Sequence, residues 1–503
     1  MGTETDTLPE GWARATLGEL ATSPGDIAYG VLKPGPWTDG GVPMLRVKDV
    51  REGVVDDSDV YRIGEGLHRE FRRTELRGGE LLLSIQGTVG RVAVVPNRLR
   101  GANVSRTLAV VPLRDRQLTS WTWAALQSPQ LQDSIRGETG GSTRDSLNLR
   151  DLREIVLPVA PSSEQHRIVA KVEELLAEVN QVRERLARVP AILKRFRQSV
   201  LSAACSGKLT EDWRGDHTDV EPAKALREKI RTARMNAADS DRARAKVEKS
   251  YANCAPCDGG WPDDLPEPWH QCQVNDAGEV CNGSTPSRKR KDYWNGHIPW
   301  VSSGEVQNCL IADTRETITK AGFDNSSIRL LPPDTVLIAM IGEGRTRGQS
   351  AILKLSAAIN QNMAAVVLDH GLMSSEYLWY WFRYQYERNR EVGGGSGPQA
   401  LNCQRVRELP LALPPLAEQR EIVRRVEELF KLADDIEGQV EAATKRVDRL
   451  TQAILAKAFR GELVPTEAEL ARKEGRSYEP ASVLLDRIRQ EREAKTNAGR
   501  KRH

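Results

Sequence analysis

The chain has 503 residues, a formal net charge of +3 from 73 Lys and Arg against 70 Asp and Glu, and seven scattered cysteines. That length leaves room for several domains with ordinary cores, and the near-neutral charge means that any electrostatic footprint for nucleic acid must be local. No long apolar run and no basic segment followed by an apolar stretch opens the chain, which points away from membrane insertion and secretion and toward a cytoplasmic protein, and the odd cysteine count does not suit a disulfide framework.

In chain order, Glu80 to Ile85, Arg91 to Val95 and Thr107 to Leu113 are short β-rich runs broken by Gly and Pro, followed by helical pieces near Ser120 to Ile135. This predicts a mixed α/β domain. A Pro-containing extended stretch, Val156 to Pro161, then leads into apolar residues at steps of four and three: Ile168, Val172, Leu175, Val179, Val182, Leu186 and Val189, continuing as Leu193, Phe196 and Val200. A narrow apolar stripe with charged flanks predicts a long helix whose seam packs on another helix, with Pro190 expected to kink it. Next come a polar, Ala- and Arg-rich stretch, Pro222 to Lys249, and a Gly- and Pro-rich linker, Cys254 to Pro268.

The order then repeats. Thr335 to Ile341, Gln349 to Leu355 and Met363 to Leu368 read as strands, Ser374 to Arg390 as helical, and Pro410 to Pro415 as extended. A second seam runs Ile422, Val426, Leu429, Ala433, Ile436, Val440 and Ala443, then Val447, Leu450 and Ile454. The last stretch, Pro480 to Lys495, is again Ala- and Arg-rich. The repetition extends to the letter: LNLRDLREIVLPVAPSSEQHRIVAKVEEL from Leu147 returns as LNCQRVRELPLALPPLAEQREIVRRVEEL from Leu401, at the offset of 254 that separates Glu164 from Glu418. The chain is two copies of one domain-plus-helix unit, too long for a solenoid repeat.

The segments LPPLAEQREIV (Leu413 to Val423), VAPSSEQHRIV (Val159 to Val169), GKLTEDWR (Gly207 to Arg214), AFRGELV (Ala458 to Val464) and GRTRGQSAIL (Gly344 to Leu353) resemble the specificity subunit of type I restriction-modification systems. The likeness covers the whole chain. It departs from the strongest form of the pattern in the first copy, where Ala160-Pro161-Ser162 stands for Pro414-Pro415-Leu416. The resemblance implies two target-recognition domains, each reading one half of a split DNA sequence, and two helices forming an antiparallel pair that sets the spacing. It places domains at residues 1–160 and 261–415, with helical spacers at 161–260 and 416–503. It further implies docking of two modification subunits, which bind S-adenosylmethionine and methylate adenine, and of motor-nuclease subunits using ATP and Mg. No cofactor is expected on this chain itself.

Two related domains in one chain can mimic a dimer on DNA, and because they share little sequence the target should be bipartite and asymmetric. Base readout needs Arg or Lys against guanine and Asn or Gln against adenine. Corresponding candidates in the two copies are Gln86, Thr88 and Arg91 against Arg345, Arg347 and Gln349, and Asn103 and Arg106 against Asn360 and Gln361. Others are Ser142 and Arg144 against Ser396 and Gln399, and Arg46 and Lys48 against Ser302 and Ser303. The run Arg288-Lys289-Arg290-Lys291 could meet phosphate, although such runs are often solvated loops.

No G-x-x-x-x-G-K-[ST] loop, no Asn-Pro-Pro-aromatic stretch and no strand followed by G-x-G-x-x-G is present, so the chain is expected to catalyse nothing alone. Cys254-x2-Cys257, with Cys272, Cys281 and His270 nearby, has the residue types of a zinc site but lacks a second C-x2-C pair, so incidental thiols in a linker are expected. A coiled-coil interaction scaffold without DNA contact is the alternative that near-neutral charge allows. Steep loss of duplex binding with salt would separate the two.

Overall fold

The computed structural model describes residues 7–51, 53–137, 146–252, 260–342, 345–391 and 401–500. The chain divides into two compact units, residues 1–187 with 441–503 and residues 188–440. No helix among the described residues is long and apolar enough to cross a membrane.

In the first unit, Leu81–Ser84 is buried along its whole length, as a Leu-rich run covered on both faces should be. It pairs antiparallel with Leu108–Val111 on one side and Val92–Val94 on the other. Ala28–Tyr29 completes this sheet, and a smaller one joins Tyr61–Ile63, Val42–Leu45 and Asn103–Val104. The second unit follows the same plan. Val336–Ala339 lies between Met363–Leu368 and Ser350–Leu353, and Trp294–Val301 lies between Glu316–Ile318 and Ala358–Ile359. A glycine marks the crossing of the two sheets in each unit. A Cβ on Gly30 would sit 1.8 Å from the Val104 carbonyl oxygen, and one on Gly283 1.9 Å from that of Ile359. Only glycine lets the backbones approach so closely.

The two long helices, Ser162–Cys205 and Leu416–Phe459, have 44 residues each. In the first unit, Ile168, Val172 and Val179 from the start of one share a core with Ile454, Leu455 and Phe459 from the end of the other, flanked by an Arg183–Asp448 ion pair at 3.0 Å. In the second unit, Val200 and Leu201 from the end of the first helix meet the core that holds Ile422 and Val426, and Arg197 pairs with Asp434 at 2.6 Å and Glu437 at 2.8 Å. Start beside end in both units makes the pair antiparallel.

The predicted seam needs correction at Val182, midway along the first helix and 44% exposed, and at Leu450, which is 52% exposed between the buried Val447 and Ile454. Two helices alone cover only a narrow stripe, so seam positions not roofed by a domain stay wet. The helix continues through the exposed Pro190.

Each domain is fastened to its helix in the same manner. Ala13–Thr16 pairs with Val156–Val159 and His270–Gln273 with Pro410–Leu413, strands that run directly into the helices. The Trp12 indole N–H donates to Glu164 at 2.9 Å and that of Trp269 to Glu418 at 2.8 Å. Both carboxylates are fully buried near the first turn of their helices. One turn back, Gln165 and Gln419 donate to the Ala160 and Pro414 carbonyls.

The stretch after each helix completes a domain. In the first unit the Ala481 N–H donates to the Gly11 carbonyl, Arg472 pairs with Glu10, and Arg489 pairs with Glu19. In the second unit the Ala223 N–H donates to the Pro268 carbonyl and Arg227 pairs with the buried Asp276 at 2.9 Å.

Candidate nucleic-acid interface

Strand register brings the candidate segments of each unit to one end of its main sheet. In the first unit, residues 85–91 form the turn between Leu81–Ser84 and Val92–Val94. The Ile85 N–H donates to Thr107, which places the segment 103–107 alongside, and a bridge between Gln86 and Ser146 brings in the end of the Gly-rich loop. Leu45 pairs with Val104, so Arg46 and Lys48 follow directly at the same place. In the second unit the Met340 N–H donates to Asn362, the Leu401 N–H donates to Met340, and Val301 pairs with Ile359. The turn, the Asn360 segment, the end of the Gly-rich loop and Ser302 therefore converge as their counterparts do. Ser142, Arg144, Ser396 and Gln399 lie outside the described residues.

Several of these side chains are used inside the domain, which corrects their expected role. Asn103 is fully buried, its Oδ1 accepting from Thr74 and the Val104 N–H, its Nδ2 donating to the Phe71 carbonyl. Arg91 donates to the carbonyls of Val47 and Val50, each at 3.2 Å, and so ties the turn to the neighbouring segment. Asn360 is buried and accepts from the Asn362 N–H, while Gln361 accepts from Thr285. Ser302 caps a short turn through Glu305.

Others stay available. Arg106 and Arg345 are exposed, with no side-chain partner among the described residues. Arg347 is half-buried, and its Nε has no hydrogen-bond partner. Gln86 is half-buried and Thr88 exposed; Ser303 and Gln349 are half-buried. Arg46 and Lys48 meet carboxylates of their own domain. Arg46 stacks over Tyr61 at 5.0 Å and lies 3.6 Å from Asp49, and Lys48 bonds Asp59 at 2.7 Å, holding that carboxyl below its ordinary range.

The run at 288–291 is half neutralised. Arg288 forms a bidentate pair with Glu316 while stacked 3.7 Å from Trp294, and Arg290 pairs with Asp292 at 2.7 Å, leaving Lys289 and Lys291 exposed. That balance favours a folded loop edge over a strong phosphate site.

At the other end of the first sheet is a cleft of about 1220 Å³ lined by five arginines and five carboxylates, a balance that gives it no preference for an anion. Among the described residues no group of three His, Cys, Asp or Glu could hold a metal ion; Cys254 and Cys257 lie outside them.

Sequence reasoning missed the supports of the turns. Gln132 donates to the Gly90 carbonyl at 2.9 Å, and Tyr386 donates to the Arg345 carbonyl at 2.6 Å. Each comes from the short helix after a longer one, Pro129–Gly137 after Arg116–Leu126 and Tyr386–Glu391 after Ser375–Tyr384, a placement that no residue pattern marks.

Residues 9–189 and 266–446 each match the family described as the type I restriction modification DNA specificity domain. The chain is 26% identical to the type I restriction enzyme StySPI specificity subunit of Salmonella potsdam, with 96% of each chain covered. It is 27% identical to the EcoKI specificity subunit of Escherichia coli K12, with 97% of each covered. Among solved structures, the HsdS subunit from Thermoanaerobacter tengcongensis superposes with a TM-score of 0.51 at 18% identity over 92% of this chain and all of that one. A chain from a structure on complex assembly and conformational transition of the type I R-M system gives 0.60 at 18% identity, over 91% of this chain and all of that one.

Proposed function

We propose a function from the premise that this chain belongs to the type I restriction modification DNA specificity domain family. It is a DNA-specificity protein with two recognition domains, suited to a target in two parts. The first unit reads one half of the target and the second unit the other, each through the end of its sheet where the turn, the Asn-bearing segment, the residue pair after the Gly-rich loop and the segment of Arg46 or Ser302 converge. The observation that carries this reading is the convergence itself: the same four segments meet in both units although their residues differ. A fold alone would require strands and turns. It would not require an exposed arginine without a side-chain partner among the described residues at that end in each unit, Arg106 in the first and Arg345 in the second. The differing residues make the two half-sites unrelated.

The helix pair docks modification subunits, which supply S-adenosylmethionine and methylate adenine, and through them motor-nuclease subunits that use ATP and Mg. This chain contributes recognition and no catalytic group, and the complex works in the cytoplasm. The family membership and the near full-length relatives support that assembly.

Exchange of residues 1 to about 155 for the corresponding domain of a relative tests the division of labour. Sequencing of methylated sites should show one half of the target changed and the other kept; change in both halves would overturn independent reading. Arg345→Ala and Arg347→Ala test the interface. Where the arginine bonds guanine, its removal should cost about 1–3 kcal/mol and relax one position of the second half-site. Where it bonds phosphate, its removal should weaken all duplexes alike and make the salt dependence shallower. Wild-type affinity and salt dependence in both variants and the double variant would remove this turn from the interface.

A further inference from the structure

Each reading turn is held by one side chain from a short helix outside the sheet. In the first unit the helix Pro129–Gly137 carries Gln132, whose Nε2 donates both to the Gly90 carbonyl at 2.9 Å and to the Leu126 carbonyl at 2.6 Å. One amide thus joins the closing residue of the turn to the end of the neighbouring helix Arg116–Leu126. In the second unit Tyr386 opens the helix Tyr386–Glu391, and its hydroxyl donates to the Arg345 carbonyl at 2.6 Å.

Both supports come from the short helix that follows a longer one, Arg116–Leu126 in the first unit and Ser375–Tyr384 in the second, and both reach a backbone carbonyl of the turn with different chemistry, Gln132 at the closing Gly90 and Tyr386 at Arg345 near the turn's opening. Both turns close on a glycine with positive φ, +92° at Gly90 and +82° at Gly348, so the local backbone has few side chains to stiffen it. The Gln132 amide oxygen lies 2.8 Å from where a Gly90 Cβ would be, and the Tyr386 carbonyl oxygen 3.4 Å from a Gly348 Cβ. Each helix therefore packs directly on its turn.

We infer that Gln132 and Tyr386 are positioning residues for DNA reading, each fixing the shape of one recognition turn and thereby the sharpness of base discrimination in one half-site. The inference rests on the proposed reading that these turns face DNA. A hydrogen bond to a base rewards the correct partner only when the donor is already aimed. A turn free to readjust accommodates a wrong base with less loss. Tyr386 acts on the backbone of Arg345 itself, one of the two unpaired guanidinium residues of the second turn. Gln132 acts on Gly90, the residue before Arg91, which in turn bonds the carbonyls of Val47 and Val50.

The test uses the full chain assembled with its modification subunit, the duplex that the complex methylates, duplexes with one base changed in either half, and an unrelated duplex. Tyr386→Phe removes only the hydroxyl, and Gln132→Met removes the amide at similar volume; thermal melting establishes folding. Tyr386→Phe should lower discrimination at changed bases of the second half roughly three- to tenfold, the loss expected of one hydrogen bond, with first-half discrimination and binding of the unrelated duplex unchanged. Gln132→Met should do the converse.

Equal weakening on every duplex, loosening in the wrong half, or wild-type discrimination would each overturn the inference. Arg345→Ala and Arg347→Ala, run alongside, separate it from its premise. If those variants alter DNA binding and Tyr386→Phe does not, the positioning role fails alone. If none has any effect, the turn does not face DNA.

Discussion

The two joints between domain and helix use the same carboxylate differently. Glu164 accepts the Trp12 indole N–H and the Glu467 backbone N–H, while the nearby Arg167 bonds Glu467. Glu418 accepts the Trp269 indole N–H, the Thr210 hydroxyl at 2.7 Å and the Arg214 guanidinium. At the first joint the direct hydrogen bonds to the buried carboxylate come from neutral donors, with the Arg167 charge acting only at a distance, whereas at the second a cation bonds it directly. Burial pushes the Glu164 carboxyl above its ordinary range, against the hydrogen bonds that favour the ionised form. A repeat can thus keep an acceptor in place while its partners diverge, provided the charge is satisfied in some form.

The largest difference should appear on removing each acid. Glu418→Ala strands Arg214 in a buried site and should cost about 3–5 kcal/mol, whereas Glu164→Ala leaves only neutral donors unpaired and should cost about 1–3 kcal/mol. Chemical denaturation of the two variants checks the order; equal losses would make the cation irrelevant.

The seam beside each joint provides the control. Val172 and Val426 are repeat counterparts and fully buried, so aspartate at either should cost several kcal/mol, about 3 or more, and equally. Val182→Asp, at an exposed seam position, should change stability by about 0.5 kcal/mol or less.

Arg214→Met converts the second joint toward the first. It should cost about 1–3 kcal/mol, with Glu418 left on its indole and hydroxyl donors. A loss as large as that of Glu418→Ala would show that dipoles cannot hold that carboxylate.

The smallest effects are in pH dependence, and their signs are opposite. Glu164 has a raised folded value, so its contribution is complete below the ordinary carboxylate range and is lost as pH rises through the folded value. Near the second joint, Arg424 and Arg425 hold Glu421 down to about 2, so its contribution is complete above the ordinary range and lost as pH falls toward that value. Denaturation across acid to neutral pH should show the stability gap between wild type and Glu164→Gln shrinking as pH rises. The gap for Glu421→Gln should widen over the same range.

Much of this architecture was legible in the sequence because the repeat exposes it. Strand runs such as Leu81–Ser84 and Val336–Ala339 stand out as apolar between Gly- and Pro-rich turns, and the heptad steps from Ile168 and Ile422 identify the helices. The converging segments could be paired because both copies carry them. What Arg91 and Asn103 bond could not be read, since a polar residue in a turn looks the same whether it faces solvent or its own backbone. The wet seam positions escaped too, because a heptad reports which residues face a partner and not what else covers them. The joints were half visible: Trp12, Glu164, Trp269 and Glu418 all fall in matching stretches, yet no periodicity links residues more than 140 positions apart.

The docking of residues after the second helix onto the first domain has a consequence in time. Glu10 and Glu19 are made 462 and 470 residues before their partners Arg472 and Arg489, and Gly11 a similar stretch before Ala481. At about 5–20 residues per second, on the order of tens of seconds separate them on the ribosome. The second domain meets its own supporting stretch in the opposite order, because residues 222–236 emerge before the strands they cover. Of these two units, the one whose first residues are made earlier is therefore finished later, and a stop just before residue 472 would injure it while leaving residues 188–440 whole.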